Sequence, residues 1–137
     1  MKSHHESMFT PRQLALYRLA TRIFDAIPQA RPIEQFRCHE VARAVGKLLE
    51  LRIEDGKYGQ VDHSWCLLEG VQPAILDPYA IGCMPPVRLV SFDGLLPHSR
   101  LYLVGPVRTD IDEKLVEAVF VRLQPNVHAW KRHEKDL

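Results

Sequence analysis

The sequence lacks the features that mark several large classes of protein. No apolar run approaches the roughly 18 residues that a membrane-spanning helix needs. The first thirteen residues have neither the apolar core nor the small-residue cleavage site of a secretory signal. Lys and Arg number 18 against 17 Asp and Glu, and no basic run stands out. We therefore expect a cytoplasmic protein with neither nucleic acid nor membrane as its main partner, although secretion without a leader, as an effector, is compatible with the same sequence.

Cysteine is also scarce. Cys38, Cys66 and Cys83 form an odd set without tight spacing, which favours reduced thiols over a disulfide framework. The C-x-x-C pair typical of a zinc site does not occur. His63 and Cys66 have a short ligand-like spacing, but an offset of three residues in a strand points their side chains to opposite faces. We expect no metal and no other cofactor.

The elements that the sequence does contain predict one α+β domain over residues 1–137. With 46% hydrophobic residues, the chain can form a hydrophobic core without disulfide bonds or a bound metal ion. The predicted helices cover residues 10–27, about 36–52 and 109–123, and the predicted strands cover about 60–69, 74–79, 87–92 and 100–104. Two N-terminal helices would pack on a small antiparallel meander, with a helix after it. Residues 54–60 (EDGKYGQ) read as a turn, and 1–9 and 125–137 as loose ends.

Capping residues and prolines predict where the first two helices begin and end. Thr10, Pro11 and Gln13 form the T-x-x-Q pattern of a capping box with proline at the first helical position, and Pro28 is expected to stop the helix. The second helix begins near Phe36, or alternatively at Pro32. If the helix begins near Phe36, its positive N-terminal end lies close to Cys38. If it begins at Pro32, Cys38 lies about one turn inside the helix.

Three residues stand in the order and settings that a thiol-based acyl-transfer site requires. Cys38 lies near the start of the second helix, on its apolar stripe. His63 lies in the first predicted strand, and Asp77 lies at the end of the next one, fourteen residues later, which suits neighbouring antiparallel strands. A nucleophile, a base and a group that orients the base are the three parts of a cysteine hydrolase or transferase.

The chemistry of each residue fits that role. A thiolate is the reactive form of cysteine, and a helix N-terminus and an adjacent imidazolium both favour it. We expect Cys38 to attack an acyl carbon, His63 to act as general base and then acid, and Asp77 to fix the tautomer of the imidazole. The backbone N–H of Cys38 is a candidate oxyanion donor, with Gln35 or Gln29 as a second donor.

The segments around these residues resemble the papain-like, and especially the transglutaminase-like, cysteine enzyme superfamily. The similar pieces are FRCHEVARAV, VDHSW and AILDPYA, within about residues 30–92. The resemblance implies a cysteine at a helix N-terminus packed on an antiparallel sheet that carries the histidine and then the aspartate. The resemblance does not specify a substrate, and we expect a protein or peptide amide from the chemistry of the three residues. Arg37 and His39 flank the cysteine where the family usually has an aromatic neighbour.

Other candidates and one competing interpretation stay open. Trp65 and Tyr79 are candidates for the wall of a substrate groove, although core packing also accounts for both. His39 is expected on a solvated helix face at the rim of the site. Hydrolysis of a peptide or amide is the default expectation, and deamidation and transfer to an amine are the alternatives. In the competing interpretation the chain is a non-catalytic binding module in which Cys38 is a packed, inert thiol.

Overall fold

The computed structural model describes residues 9–80, 86–92 and 100–137, and it has a mixed α+β architecture. The helices and strands run in the order α1 (Pro11–Ala30), a 3₁₀ turn (Ile33–Gln35), α2 (Cys38–Leu49), β1 (Arg52–Tyr58), β2 (Val61–Leu68), β3 (Ala74–Asp77), β4 (Arg88–Ser91), β5 (Tyr102–Val104) and α3 (Glu113–Arg132). The strands form one antiparallel sheet in the order β4-β3-β2-β1-β5. The predicted loose end at residues 1–9 lies outside the described residues except for Phe9, which is buried.

Helix α1 begins as predicted. The Thr10 side chain accepts the Gln13 N–H, and the Gln13 side chain accepts the Thr10 N–H, so the capping box is complete. The prediction that Pro28 stops the helix is wrong, because α1 continues to Ala30. Proline removes one N–H donor, and in the last turn of a helix that loss leaves the earlier hydrogen bonds intact.

Helix α2 begins at Cys38, which decides between the two predicted starts. The 3₁₀ turn ends at Gln35, and Phe36 and Arg37 then adopt extended backbone angles before the helix begins. Cys38 is therefore the first helical residue, and its N–H belongs to the first turn, whose donors have no partner within the helix.

The prediction of a loose C-terminal end at 125–137 is wrong as far as Arg132. Helix α3 runs through Pro125, and it is held because Val119, Leu123 and Val127 are buried against the core. Lys131 also donates to the Leu48 carbonyl at the end of α2. Packing of the apolar face outweighs the single hydrogen bond that Pro125 cannot make.

The prediction that residues 54–60 form a turn is wrong, because strand β1 occupies Arg52–Tyr58. The turn is shorter and centres on Gly59, which has a φ of +63°. Gly56 serves a different purpose, because a Cβ at this position would collide with the Leu103 carbonyl oxygen. Glycine thus lets β5 approach β1 closely, and β5 lies at this edge rather than beside β4, as the predicted meander required.

The sheet is curled, and its two faces have different partners. On one face, Cys66 contacts the Ala42 carbonyl and packs with the helices. The other face carries His63 and Trp65, and its buried apolar cluster contains Trp65, Ile75, Val90 and Tyr102. Since Tyr102 of β5 hydrogen-bonds to Asp77 of β3, across two intervening strands, this second face is concave.

This arrangement changes how Cys38 meets His63. His63 lies on the concave face of the sheet, opposite the face that packs against α2. Cys38 approaches it from the end of the helix, and its Sγ lies 4.0 Å from the backbone carbonyl oxygen of Asp62, the neighbour of His63 in β2.

Within the part of the chain that the structure describes, no helix combines the length and the apolar character needed to cross a bilayer.

Replacing Glu50 with glycine should stabilise the protein. Glu50 ends α2 with φ 58° and ψ 49°, a left-handed conformation that glycine adopts without strain. We expect the Glu50→Gly variant to raise the free energy of unfolding by about 0.5–1 kcal/mol in urea titrations. Glu50→Ala keeps a Cβ and should leave it unchanged within about 0.5 kcal/mol; equal stability of the two variants would contradict the strain.

Candidate active site

Cys38 lies at the positive end of α2. Its side chain is partly exposed, and Arg37, the residue before it, caps the helix. Glu40 accepts hydrogen bonds from the Arg37 N–H at 3.2 Å and from the Arg37 guanidinium at 2.9 and 2.6 Å. Arg37 also binds the side chain and the backbone carbonyl of Asp110. These contacts fix the helix start, and with it the thiol, against the segment before α3.

The structure brings His63 and Asp77 together as the sequence predicts. Both residues are fully buried, and His63 Nε2 donates to Asp77 Oδ2 at 2.7 Å. Strands β2 and β3 are paired antiparallel neighbours, with Cys66 opposite Leu76. Because the Asp77 carboxylate accepts, the proton of this bond lies on Nε2, and Nδ1 is the nitrogen left for other chemistry.

Two further groups hold the Asp77 carboxylate. Tyr102 Oη donates to Oδ2 at 2.6 Å, and the Tyr79 N–H donates to Oδ1 at 3.2 Å. Burial, followed by the charge of Asp77, raises the pKa of Tyr102 above its usual value, so its hydroxyl remains a donor. Asp77 is therefore held by two groups besides the imidazole that it orients.

His63 is held in its charged form at neutral pH. Burial by itself lowers its pKa, but the hydrogen bond with Asp77, the neighbouring Cys38 thiol and the charges of both groups outweigh burial and raise the pKa to about 9. Nδ1 is the one buried side-chain nitrogen or oxygen of the described residues that has no hydrogen-bond partner of normal geometry. The thiol of Cys38 is thus the group next to an otherwise unpaired imidazole nitrogen.

A second histidine contacts the thiol. His39 was expected on a solvated face, but it is only 5% exposed, and its Nδ1 and Nε2 lie 3.7 and 3.9 Å from Cys38 Sγ. Nδ1 also lies 2.6 Å from Ser64 Oγ, which in turn lies 2.5 Å from Asp55 Oδ1. By turning inward, His39 gives the buried Ser64 hydroxyl a second hydrogen-bond partner beside Asp55.

A cleft of about 450 Å³ adjoins the thiol. It is lined by Gly56, Lys57, Asp62 and the segment 103–110, and the Asp62 carbonyl is the group that lies beside Cys38 Sγ. Its charged groups are paired, with Arg108 bonded to Asp110 at 2.8 Å and close to Asp62 at 3.7 Å. Cys38 itself is not among the residues that line the cleft.

The weaker sequence candidates lie elsewhere. Gln35 and Gln29 are exposed, and among the described residues neither is hydrogen-bonded to Cys38. Trp65 is fully buried beside His63, so it supports the imidazole instead of lining a groove. The Tyr79 ring packs edge-on against Phe24, and its contribution to the site is the backbone N–H that Asp77 accepts.

The other cysteines take no part in the described site. Cys66 is fully buried, and burial raises the pKa of its thiol far above the usual value, so it remains protonated. Cys83 lies outside the described residues. Within the described ranges, no group of three or more His, Cys, Asp and Glu side chains is arranged to hold a metal ion.

Sequence reasoning missed Tyr102 and the Ser64–Asp55 pair. Nothing in the local sequence marks Tyr102, because its contact with Asp77 depends on the position of β5 at the far edge of the sheet. Ser64 did carry a signal. Its alternation with His63 puts it on the same face as Cys66, and a serine on a helix-facing strand position requires a polar partner.

The raised pKa of His63 makes stability depend on pH. A histidine whose folded pKa is about 9, against an ordinary 6.5, stabilises the fold fully below pH 6.5 and loses that contribution as the pH rises through 9. We expect the free energy of unfolding to fall by up to roughly 3 kcal/mol across this range. Urea titrations of the unmodified protein at pH 6, 7.5 and 9 would measure it, and Cys38→Ser should show a smaller fall because the thiol contributes to the raised pKa.

Asp77→Asn should flatten this pH dependence, because the variant loses the carboxylate that holds the proton on His63. Asp25, an exposed residue on α1, provides the matched control, and Asp25→Asn should keep the wild-type slope. An Asp77→Asn variant with the same slope as the parent would show that the Asp77 carboxylate does not raise the pKa of His63.

Comparison with protein-family models, with curated proteins and with solved structures finds no match to this chain. What the protein does must therefore be inferred from the geometry of the site.

Proposed function

We propose that this protein is a cysteine-dependent acyl-transfer enzyme in which Cys38 is the nucleophile, His63 the acid–base group and Asp77 the residue that orients it. The observation that carries the proposal is the unpaired Nδ1 of His63. Leaving a buried imidazole nitrogen without a partner costs free energy. That cost is understandable if the nitrogen exchanges protons with a substrate bound at Cys38, and the His63–Asp77 bond at 2.7 Å fixes the tautomer that this requires.

In the first step, the Cys38 thiolate attacks an amide carbon, and the carbonyl oxygen becomes an oxyanion. The Cys38 N–H, at the positive end of α2, is positioned to donate to it. The C–N bond then breaks, and the His63 imidazolium gives its Nδ1 proton to the leaving nitrogen. The raised pKa of His63 supports this order, with acid first and base second, the reverse of the order expected from the sequence.

In the second step, neutral His63 takes a proton from the water or amine that attacks the thioester, and the thiolate leaves. Water gives peptide hydrolysis or, on a side-chain amide, deamidation, whereas an amine gives a transglutaminase-like transfer. The substrate we propose is an amide in a protein or peptide. The adjoining cleft fits an uncharged chain, since its side chains include the exposed Leu103, Val104 and Val107 and its arginine is already paired.

We further propose that α2, β2 and β3 form a papain-like or transglutaminase-like core. The supporting features are the nucleophile at a helix start and the histidine and aspartate on adjacent antiparallel strands. The enzyme requires a reduced thiol, which a cytoplasmic location would maintain.

An activated ester tests the proposal without knowledge of the natural substrate. With p-nitrophenyl acetate we expect a stoichiometric burst of p-nitrophenolate and one acetyl group on Cys38, located by peptide mass spectrometry. Cys38→Ser should abolish the burst. Asp77→Asn should slow it at least about tenfold, because His63 loses its orienting group.

Cys83→Ser is the matched control and should keep the full burst, since Cys83 has no role in the proposed mechanism. The proposal fails if Cys38 is acetylated no faster than the same cysteine in the urea-unfolded chain. In that case Cys38 is a packed thiol, and the non-catalytic binding module becomes the better interpretation.

A further inference from the structure

The carboxylate of Asp77 is buried away from water. Among the described residues, the groups that donate to it are His63 Nε2, Tyr102 Oη and the Tyr79 N–H. Of these three donors, His63 is the one that can carry a full positive charge. The contact between His63 and Asp77 is therefore a buried ion pair whenever the imidazole is protonated.

The proposed reaction breaks this ion pair in every turnover. When the His63 imidazolium gives its Nδ1 proton to the leaving nitrogen, the ring becomes neutral while Asp77 stays ionised. A buried charge whose partner is removed is strongly destabilised. A second positive charge close to Asp77 would stabilise the state in which the imidazole is neutral.

Arg88 lies where such a charge would act. In the pairing of β3 with β4, Arg88 is directly opposite Asp77. Side chains at directly opposite positions share one face of the sheet, with about 4.5–5.5 Å between their Cβ atoms. The partly buried Arg88 side chain thus lies on the concave face together with Asp77.

Two tyrosines link the Arg88 guanidinium to the Asp77 carboxylate. Arg88 donates to Tyr58 Oη at 2.9 Å, and its guanidinium carbon lies 5.3 Å from the centre of the Tyr58 ring. The Tyr58 ring packs edge-on against Tyr102, which donates to Asp77 Oδ2 at 2.6 Å. Burial raises the pKa of Tyr102, and the charge of Arg88 opposes that rise. Arg88 therefore makes the Tyr102 hydroxyl a stronger donor to the carboxylate.

The other titratable groups near the Asp77 carboxylate in the described ranges do not supply this charge. Glu54 on β1, which accepts from the indole of the concave face, is an anion. Cys66 faces the helices, and burial raises the pKa of its thiol, so it stays neutral. Burial and nearby arginines lower the pKa of His39 on α2, so it is neutral at pH 7. Cys38 is uncharged while it carries the acyl group.

We propose that Arg88 is a positioning residue whose charge, acting through Tyr102, balances the Asp77 carboxylate after His63 has given up its proton. The inference rests on the proposed acyl-transfer function. Arg88 then favours the neutral imidazole, which is the form that takes a proton from water or an amine in the second step. Without Arg88, Asp77 would hold the proton on His63 more tightly, and the acyl-enzyme would break down more slowly.

The protons balance over one turnover. His63 loses its Nδ1 proton to the leaving nitrogen as the C–N bond breaks, and it regains one from the attacking water or amine as the thioester breaks. The Nε2 proton stays between His63 and Asp77 throughout. Arg88 and Tyr102 keep their protons in both steps, so they stabilise the neutral imidazole without taking part in proton transfer.

Arg88→Gln is the discriminating variant, because glutamine keeps an N–H donor for Tyr58 but carries no charge. With p-nitrophenyl acetate, the burst reports acetylation of Cys38, and the steady rate after the burst reports breakdown of the acetyl-enzyme. We expect the pH midpoint of the steady rate to move upward by about 0.5–1 unit, since the imidazolium of His63 loses a repelling charge. Below the midpoint the rate should fall about three- to tenfold, and at high pH it should reach the parental rate. The burst should persist, because p-nitrophenolate leaves without a proton from His63.

Two control variants isolate the charge. Arg88→Lys restores it and should return the midpoint towards the parental value. Arg52→Gln removes an exposed arginine that pairs with Glu69 at the surface of the sheet, and it should keep the parental midpoint. A rate that falls equally at every pH in Arg88→Gln would show that Arg88 only supports the fold, and it would overturn the inference.

The same assay separates the inference from the function on which it rests. If the parent and Arg88→Gln both give a burst and share one midpoint, the inference alone is overturned. If the parent gives no burst, the proposed function fails and the inference fails with it. A burst in both proteins with a raised midpoint in Arg88→Gln supports both.

Tyr102→Phe keeps the inference testable if Arg88→Gln does not fold. Phenylalanine keeps the packed ring but removes the hydroxyl through which Arg88 acts on Asp77. An NMR titration of His63 in Cys38→Ser protein, whose thiol cannot affect the imidazole, gives the reference midpoint. Adding Tyr102→Phe should raise this midpoint by about 0.5 unit, because the carboxylate loses a donor and holds the imidazole proton more tightly. An unchanged midpoint would overturn the inference.

Discussion

The hydrogen bonds accepted by the buried carboxylate of Asp77 are the interactions on which the rest of the site depends. Oδ2 accepts from His63 at 2.7 Å and from Tyr102 at 2.6 Å. The first bond fixes the tautomer of the imidazole. The second joins β5 to β3 across the concave face and so holds the curl that encloses the imidazole. Burying the Asp77 carboxylate with fewer hydrogen-bond donors would destabilise the fold. Because one of its donors, Tyr102, reaches it only when the sheet is curled, the curvature of the sheet and the orientation of His63 depend on each other.

The start of helix α2 is under a second constraint. The extended backbone at Phe36 and Arg37 ends the preceding 3₁₀ turn, so the helix begins at Cys38 itself. Glu40 then binds Arg37 and accepts from the N–H of Asp112, the residue that caps α3. Cys38 is thus tied to the C-terminal helix through partly buried polar contacts, which gives the last part of the chain a structural role around the thiol.

Cys38 stands between two polar networks of different electrical character. Asp77 and Tyr102 lie behind His63, where the carboxylate raises the pKa of the imidazole. Asp55 and Ser64 lie behind His39, where burial and two arginines lower the pKa. Carboxylates support both histidines, but Asp55 is itself neutralised by Arg43 and by the N–H of Arg108. The two histidines therefore differ because Asp77 bonds directly to His63, whereas at His39 burial and the charges of Arg108 and Arg37 outweigh Asp55.

Patterns within short segments were enough to predict the helix cap at Thr10, the apolar stripes, the α+β class and the pairing of His63 with Asp77, because each depends on residue spacing within one segment or two neighbouring segments. Tertiary contacts alone decided that Gly56 lies in a strand, that β5 joins the sheet beside β1, that helix α3 continues past Pro125 and that His39 turns inward. Each of these results depends on atoms far away in the chain: the Leu103 carbonyl, the core under Val127, and the hydroxyl of Ser64. The local sequence determines the propensity for helix, strand or turn. The final position of a buried polar residue or a glycine depends on the distant segment that packs against it.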